Sequence, residues 1–206
     1  MFKKVFTLAE VLITLGIVGV IAAITLPTLT QSTTTAQIGP KLMKAVSAFE
    51  QANKALLNEY DVDKLSDTNL LSDASSYVDA LSNYLKFSYD GTNLVSKDGM
   101  GYVVSITEGS TYDAQIPAHK ESIGMLTIDI NGPNVNPNVS GTDLFYFSWW
   151  NDGSLRPKGA TNWDGADTSK KDGAAHWTTK CNNTSEDDLS YCAGHIFENN
   201  LKVLYR

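Results

Sequence analysis

The sequence is poor in the residues and motifs on which most enzymes and metal sites depend. Its 206 residues include two cysteines and three histidines, His119, His176 and His195. None of them belongs to a C-x-x-C or H-E-x-x-H pattern, and the chain has no G-x-S-x-G or Gly-rich phosphate motif. Histidines outside such patterns are by default surface or loop residues. We therefore expect that the protein is not an enzyme.

Positive charge is scarce as well. The chain has 16 Lys and Arg against 23 Asp and Glu, and no basic residue lies between Lys4 and Lys41. Beyond Tyr60 there are 11 basic and 20 acidic residues, a net charge of −9. Proteins grip nucleic acids through basic patches, and an acidic surface repels the phosphate backbone. We expect no nucleic-acid partner.

One long apolar segment, Phe6 to Leu29, contains a single charged residue, Glu10. As a helix rising about 1.5 Å per residue it would reach roughly 36 Å, which is enough to cross a bilayer. Lys3 and Lys4 precede the segment, so the positive-inside rule predicts a cytoplasmic leader, residues 1–5, and an exported remainder. The segment therefore predicts a membrane anchor.

A cleaved secretory signal is the alternative interpretation, because it also begins with basic residues followed by an apolar run. Its apolar core is usually about 7 to 15 residues long and ends at a small-residue cleavage site. The present run is longer, contains Pro27 and carries a carboxylate near its start. These features favour a retained, single-pass anchor.

The start of the segment, Phe6-Thr7-Leu8-Ala9-Glu10 followed by the apolar run, resembles the amino-terminal segment of type IV pilins and type II secretion pseudopilins. The resemblance implies that a prepilin peptidase cuts between Val5 and Phe6 and that the new amino terminus is N-methylated. It implies that Glu10 then neutralises the terminal ammonium of the next subunit in a filament. The family has Gly where this chain has the larger Val5, so we expect slow or absent processing.

The same resemblance implies partners and a location. The partners are other pilin or pseudopilin subunits, the prepilin peptidase and the inner-membrane assembly platform. The protein would be held in the inner membrane by one pass before it enters an extracellular or periplasmic filament.

The chain after the anchor predicts a helix followed by a globular domain. Residues 30–60 carry apolar residues at three- and four-residue steps, which is typical of an amphipathic helix lying on a sheet. The members of this stripe are Ile38, Leu42, Val46, Phe49, Ala52, Leu56 and Tyr60. Gly39-Pro40 interrupts the stripe and predicts a bend or a frayed turn. Residues 61–206 form the exported domain.

Within residues 61–206 the apolar period changes from that of a helix to that of strands. Ser72-Asp73 predicts the cap of a short helix. An antiparallel meander is predicted after it, with strands near 93–96, 101–106, 125–130, 144–150 and 154–156 and a last one within 195–206. Asp98-Gly99 suits a type I′ turn. Helices followed by a meander indicate an α+β fold, and with the resemblance they predict a pilin-like one.

Cys181 and Cys192 lie in the predicted exported part. An even cysteine count outside a reducing cytosol predicts one disulfide, which would stabilise by roughly 3 kcal/mol in the chain-entropy model. A metal pair is the alternative, but the spacing fits no zinc pattern. The resembling family often ties its carboxy-terminal region in this way.

A loop rich in Asp and Asn, residues 129–143, connects two predicted strands. Carboxylate and amide oxygens are ligands that Ca²⁺ prefers, which makes Asp129, Asn131, Asn134 and Asp143 a candidate calcium set. The spacing departs from that of an EF-hand, although the loop is loosely similar to the calcium-holding loop of major pseudopilins. The alternative is a loop of Asx turns, in which these side chains bond their own backbone.

Four tryptophans, Trp149, Trp150, Trp163 and Trp177, could form an aromatic face for sugars. Adjacent strand residues point to opposite faces, so at most one of Trp149 and Trp150 can belong to the core, and core packing or loop cover is the favoured role. The sequence as a whole predicts a pilin-like structural subunit of a type IV pilus or type II secretion pseudopilus. The alternative is a membrane-tethered exported module that binds a glycan or surface ligand and forms no filament.

Overall fold

The computed structural model describes residues 7–89, 93–106, 122–161, 177–181 and 185–205. The chain divides into two units, one ending at Gln37 and the other beginning at Ile38. Its architecture is α+β, with an amino-terminal apolar helix, a six-stranded antiparallel sheet and a disulfide near the carboxyl end.

The first helix, α1, spans Leu8–Tyr60 without interruption. The predicted fray at Gly39-Pro40 is therefore wrong, since both residues lie inside the helix. Gly39 has a different role, because a Cβ built there would lie 2.0 Å from the carbonyl oxygen of Leu201. Glycine is needed at this position for close packing rather than for a break in the helix.

In the second unit, α1 presents the predicted apolar stripe to the core. Ile38, Leu42, Ala45, Val46, Phe49, Ala52 and Leu56 are buried, and they form one cluster with the inward side chains of the sheet. Tyr60 was expected in this stripe but is 43% exposed, because the stripe ends one turn earlier, at Leu56. The amphipathic half of α1 thus covers one face of the sheet, as its spacing predicts.

A short helix, α2 (Ala74–Leu81), follows two 3-10 turns at Leu65–Thr68 and Leu70–Ser72. The predicted cap is confirmed, since the Asp73 carboxylate accepts a hydrogen bond from the Ser76 backbone nitrogen at 2.8 Å. Tyr77 is fully buried and its hydroxyl donates to the Asn53 side chain on α1. This buried bond fixes α2 against α1.

The sheet is a simple meander in which each strand pairs with the next along the chain. Its strands are β1 (Phe87–Tyr89), β2 (Leu94–Ser96), β3 (Gly101–Ile106), β4 (Ser122–Asp129), β5 (Leu144–Trp150) and β6 (Leu155–Pro157). Strands β2 to β6 match the predicted ones within a few residues, whereas β1 was not predicted. β1 is as short as β2 and β6, but it lies at the edge of the sheet and none of its three residues is buried.

The β2–β3 turn differs from the prediction. A type I′ turn needs a positive φ at both central residues, but in this turn only Gly99, at 84°, has one. The Gly99 nitrogen donates to the Ser96 oxygen at 2.9 Å, and the Ser96 nitrogen donates to the Met100 oxygen at 2.9 Å. The connection is a three-residue turn that closes with a glycine bulge.

The carboxy-terminal region has three short helices in the described residues, and after Glu198 it continues as turns and irregular backbone. It contains α3 (Trp177–Lys180), α4 (Glu186–Leu189) and α5 (Cys192–Glu198), and the predicted final strand is wrong. Cys192, Ala193 and Ile196 are buried together, which is helical spacing, and this pattern starts before the His195 at which the strand was expected to begin. The Gly194 nitrogen donates to the Lys158 oxygen at 2.8 Å, so α5 packs closely on the segment after β6.

Candidate functional site

The first candidate site is the start of α1. Thr7 and Glu10 form a reciprocal pair, in which the Glu10 Oε2 atom accepts from the Thr7 nitrogen at 2.9 Å and from the Thr7 hydroxyl at 2.8 Å. The Glu10 nitrogen in turn donates to the Thr7 hydroxyl at 3.3 Å. This is a capping box, which satisfies backbone donors at a helix start. The spacing T-x-x-E was visible in the sequence, and our sequence reasoning missed it.

The processing residues Val5 and Phe6 lie outside the described residues. Only one carboxylate oxygen of Glu10 takes part in the capping box. The other, Oε1, accepts no hydrogen bond from any residue that the structure describes. A charge-bearing oxygen is therefore available beside the amino end of the helix.

The apolar part of α1 satisfies its own polar groups. The Thr14 hydroxyl donates to the Glu10 carbonyl at 2.9 Å and the Thr25 hydroxyl donates to the Ile21 carbonyl at 2.9 Å. The stretch Leu8–Thr25 is apolar and long enough to cross a membrane, and none of it is buried inside the protein. A helix that is apolar all round needs cover from lipid or from other helices.

The second candidate site is the loop between β4 and β5. The Asp129 Oδ1 atom accepts from the backbone nitrogens of Asn131 at 3.2 Å and Gly132 at 2.9 Å, which forms an Asx turn. Asp143 is also buried and accepts from the Val139 nitrogen at 2.6 Å, the Asn138 nitrogen at 2.9 Å and the Asn131 amide at 3.0 Å. Both carboxylates thus hold the loop through its own backbone.

The charge of Asp143 also acts on Asp129. Burial raises the pKa of Asp129, and the negative charge of Asp143 raises it further. The Asp129 Oδ2 atom faces the Asn138 side chain, and with the amide nitrogen turned toward it, Asn138 donates to Oδ2 at 3.2 Å and to the Val135 oxygen at 3.2 Å. In this arrangement the described loop is closed by protein groups alone.

The calcium hypothesis finds a partial fit in this loop. Asp129, Asn131 and Asp143 come together, and the Asn131 Oδ1 atom is buried without a hydrogen-bond partner in the described chain. The fourth predicted ligand, Asn134, is exposed on the turn. With its amide oxygen turned inward, Asn138 would face Asp129 Oδ2 and the Val135 oxygen, and three oxygens would converge there. Calcium at this loop stays a prediction, with Asn138 as a further candidate ligand.

The third candidate region surrounds the disulfide. Cys181 and Cys192 are bonded, with their Cα atoms 4.9 Å apart. Close to them in the sequence, the Trp177 indole donates to Glu198 at 2.6 Å, and His195 lies between the rings of Trp177 and Tyr205 at 4.4 and 4.9 Å. The disulfide therefore belongs to a packed aromatic region.

His195 is buried, and neither ring nitrogen has a hydrogen-bond partner in the described chain. Burial lowers its pKa, so the neutral ring is favoured. The other two histidines lie outside the described residues. Among the residues that the structure describes, no three of His, Cys, Asp and Glu converge as a metal site would require.

Lys158 and Ser190 form a partly buried pair that no pattern in the sequence connects. The lysine ammonium donates to the Ser190 hydroxyl at 2.8 Å and lies 4.4 Å from the centre of the Tyr191 ring, and burial lowers the pKa of the lysine. The Ser190 hydroxyl donates to the Asp187 carbonyl at 2.6 Å. Its proton is therefore directed away from the amine, which is not the arrangement of a serine nucleophile with a lysine base.

The tryptophans that the structure describes do not form an exposed face. Trp149 is fully buried in the core, where its ring lies 4.4 Å from that of Tyr77. Trp150 is buried on the opposite face, outside the core cluster, under the Arg156 guanidinium at 3.5 Å. The prediction that only one of the two belongs to the core is confirmed. Trp163 lies outside the described residues.

Comparison with known proteins adds no relative. No family model, no curated protein and no solved structure matches the chain.

Proposed function

We propose that this chain is a pilin-like structural subunit, which assembles through its amino-terminal helix into a type IV pilus or a type II secretion pseudopilus. The observation that carries the proposal is the motif F-T-L-x-E at the start of the apolar segment, together with the single helix α1 that carries both this segment and the stripe buried in the core of the second unit. The antiparallel meander and the carboxy-terminal disulfide are consistent with the same class.

The exposed apolar stretch of α1 suits both states of such a subunit, which are the membrane-anchored state before assembly and the filament state after it. Leu12, Ile13, Leu15 and Val18 are each more than half exposed, and together they surround the helix. Water cannot cover this surface favourably, since each buried apolar Å² is worth about 25 cal/mol. Lipid would cover it before assembly and other copies of the helix after assembly. Gly16 and Gly19 have no atom within 4 Å of a Cβ built there, so the small residues remain open for a neighbouring helix.

Glu10 would have two separable roles in this function. Its Oε2 atom completes the capping box with Thr7, which any chain with this helix start would use. Its Oε1 atom would pair with the amino-terminal ammonium of a neighbouring subunit after cleavage before Phe6. A carboxylate in an apolar segment is costly unless paired, and this cost favours the assembled state.

The two roles can be separated by three variants of the full chain, expressed with a tag in cells that form the filaments. Glu10→Gln keeps an acceptor for Thr7 but removes the charge, Thr7→Val removes the two hydroxyl bonds of the cap but keeps the charge, and Glu10→Ala removes both the carboxylate acceptor and the charge. We expect all three to insert in the membrane, Thr7→Val to enter filaments, and both Glu10 variants to be absent from sheared filaments. Incorporation of Glu10→Gln at the level of the unchanged chain would reject the pairing role.

Mass spectrometry of the mature chain tests processing at the same time. We expect a slow or incomplete cut before Phe6, and a faster one in Val5→Gly. A cut after residue 25 would instead identify the segment as a secretory signal, and absence of the tagged chain from every filament preparation would reject the proposed function.

The membrane-tethered binding module remains the second candidate. It depends on tryptophans that would present a face to a glycan. Trp149 and Trp150 are buried, the Trp177 indole donates to Glu198 at 2.6 Å, and Trp163 lies outside the described residues. No described contact favours it over the filament subunit.

A further inference from the structure

A groove of about 230 Å³ opens between α1 and the β1–β3 edge of the sheet. Its α1 side is formed by the small residues Ala45 and Ala48, next to the large, buried Phe49. Larger neighbours on the same helix reach the sheet, whereas the two alanines leave a space above it. The sequence thus opens the groove by placing small side chains at one turn of an otherwise well-filled helix face.

The floor and walls of the groove are apolar and partly aromatic. Phe49, Met100 and Tyr102 are buried beneath it, and Leu85 and Phe87 line its side. The rings of Phe87 and Tyr102 are 5.2 Å apart. Burial raises the pKa of Tyr102 to about 12, so its hydroxyl stays neutral at physiological pH. The interior therefore suits a flat apolar group and holds no fixed charge.

The rim of the groove has the opposite character. Lys44, Lys86 and Lys97 line it together with a single acid, Asp98. Lys44 is paired with Asp98 at 2.8 Å, and this contact lowers the pKa of the carboxyl. Lys86 and Lys97 are exposed and make no ion pair with any residue that the structure describes. Two unneutralised ammonium groups remain at the mouth.

This local charge contrasts with the rest of the exported part. Residues 61–206 carry a net charge of −9, yet their part of the rim carries Lys86 and Lys97 against Asp98, and Lys44 of α1 adds a third lysine. An apolar cavity with a few convergent charged groups is the usual form of a small-molecule site. An anion is the ligand that such a rim attracts most selectively.

We propose that this groove is a binding site for a small amphiphilic carboxylate, whose flat apolar body enters between Ala48 and Tyr102 while its carboxylate meets Lys86 and Lys97. Lys44 is held by Asp98 and closes one side of the mouth. The proposal does not depend on filament assembly, since every lining residue belongs to the unit that begins at Ile38.

Methyl NMR can test the site on the full chain in zwitterionic lipid nanodiscs. The chain has four methionines, and with ¹³C-methyl labelling Met100 reports on the groove while Met125, on β4, serves as an internal reference. The probes are 2-naphthoate, the neutral 2-naphthamide and the cationic 2-naphthylmethylammonium. Empty nanodiscs correct for partition of each probe into lipid.

We expect 2-naphthoate to shift the Met100 signal saturably while Met125 stays in place, and the neutral amide to bind several-fold more weakly. Lys86→Gln with Lys97→Gln should weaken naphthoate about fivefold, because each exposed ion pair contributes less than a factor of ten. The matched control is Lys54→Gln with Lys202→Gln, two exposed lysines outside the groove, which should bind as the unchanged chain does.

A second variant, Ala48→Leu, fills the groove without changing charge and should abolish the shift. An unchanged Met125 signal would verify that this variant is folded. A Met100 signal that ignores naphthoate, an equal affinity for all three probes, or full binding by the double lysine variant or by Ala48→Leu would each overturn the site.

Discussion

The two halves of α1 have the same helical geometry but differ in how far their apolar residues are exposed. From Leu8 to Thr25 the apolar side chains occupy every face and are exposed, with Leu8 at 79%. From Ile38 to Leu56 most of them occupy one stripe and are almost fully buried, and Met43, which lies off the stripe, is 44% exposed. The distribution of apolar residues around the axis therefore decides whether the protein covers the helix itself or leaves it for lipid and other chains.

Glycine substitutions test this comparison most directly. Both halves of α1 contain glycine, and the surroundings of Gly19 and Gly39 differ. A Cβ at Gly39 would lie 2.0 Å from the Leu201 carbonyl oxygen, whereas a Cβ at Gly19 meets nothing within 4 Å. We expect Gly39→Ala to lower the free energy of unfolding by about 3 kcal/mol, since backbone must move to make room. Gly19→Ala should not lower it, because nothing obstructs the added Cβ and Ala is the better helix former by about 1 kcal/mol.

Thermal unfolding of the full chain in detergent, followed by near-UV circular dichroism of the buried tryptophans, measures both variants. Equal melting temperatures for Gly39→Ala and Gly19→Ala would contradict the close contact at Leu201.

The sequence predicted those features of the molecule that depend on residues close together in the chain. Patterns set by neighbours in the chain were readable, and they gave the Asp73 cap, the bounds of β5 and the buried stripe of α1. The capping box of Thr7 and Glu10 was equally local, and the T-x-x-E signal would have revealed it.

What could not be predicted depends on contacts between distant residues. Gly39 looked like a helix breaker because its partner, Leu201, is 162 positions away in the numbering of the chain. The pairing of Lys158 with Ser190 and the groove above Tyr102 also arise only when separate elements meet. Helix α5 was missed for another reason, since its apolar pattern begins at Cys192 and the prediction started three residues later.

The disulfide lies in the unit that begins at Ile38, so its removal should affect the folded unit and not the apolar half of α1. Replacement of Cys181 and Cys192 by alanine should lower the free energy of unfolding by roughly 3 kcal/mol in the chain-entropy model. Membrane insertion of the apolar stretch should not change. Alkylation of the protein isolated from cells, without prior reduction, should label neither cysteine, and labelling of both would show free thiols instead.

Calcium should act on the β4–β5 loop and leave the apolar helix unaffected. A ligand present at about 100 times its Kd stabilises the folded state by roughly 2.7 kcal/mol, which would raise the melting temperature by several degrees. The full chain should show this rise in calcium but not in chelator, and Asp129→Ala with Asp143→Ala should lose it. If the unchanged chain melts at one temperature in both solutions, the loop is closed by Asx turns alone.

The pH dependence of stability that His195 causes is the smallest effect predicted here. It results from the burial of the imidazole ring. Its ring lies between Trp177 and Tyr205 without a hydrogen-bond partner in the described chain, and burial lowers its pKa below the ordinary 6.5. The unfolded chain therefore binds a proton more readily than the folded one, so stability is full above the unfolded pKa and falls as pH drops through 6.5 toward the folded value. Glu198, which lies on the same helix as His195, accepts a hydrogen bond from Trp177 and makes none with the imidazole. His195→Phe should remove the decrease in melting temperature between about pH 7 and pH 5, whereas His119→Gln with His176→Gln should retain it. A His195→Phe variant whose melting temperature still falls as steeply as that of the unchanged chain would show that another group titrates in this range.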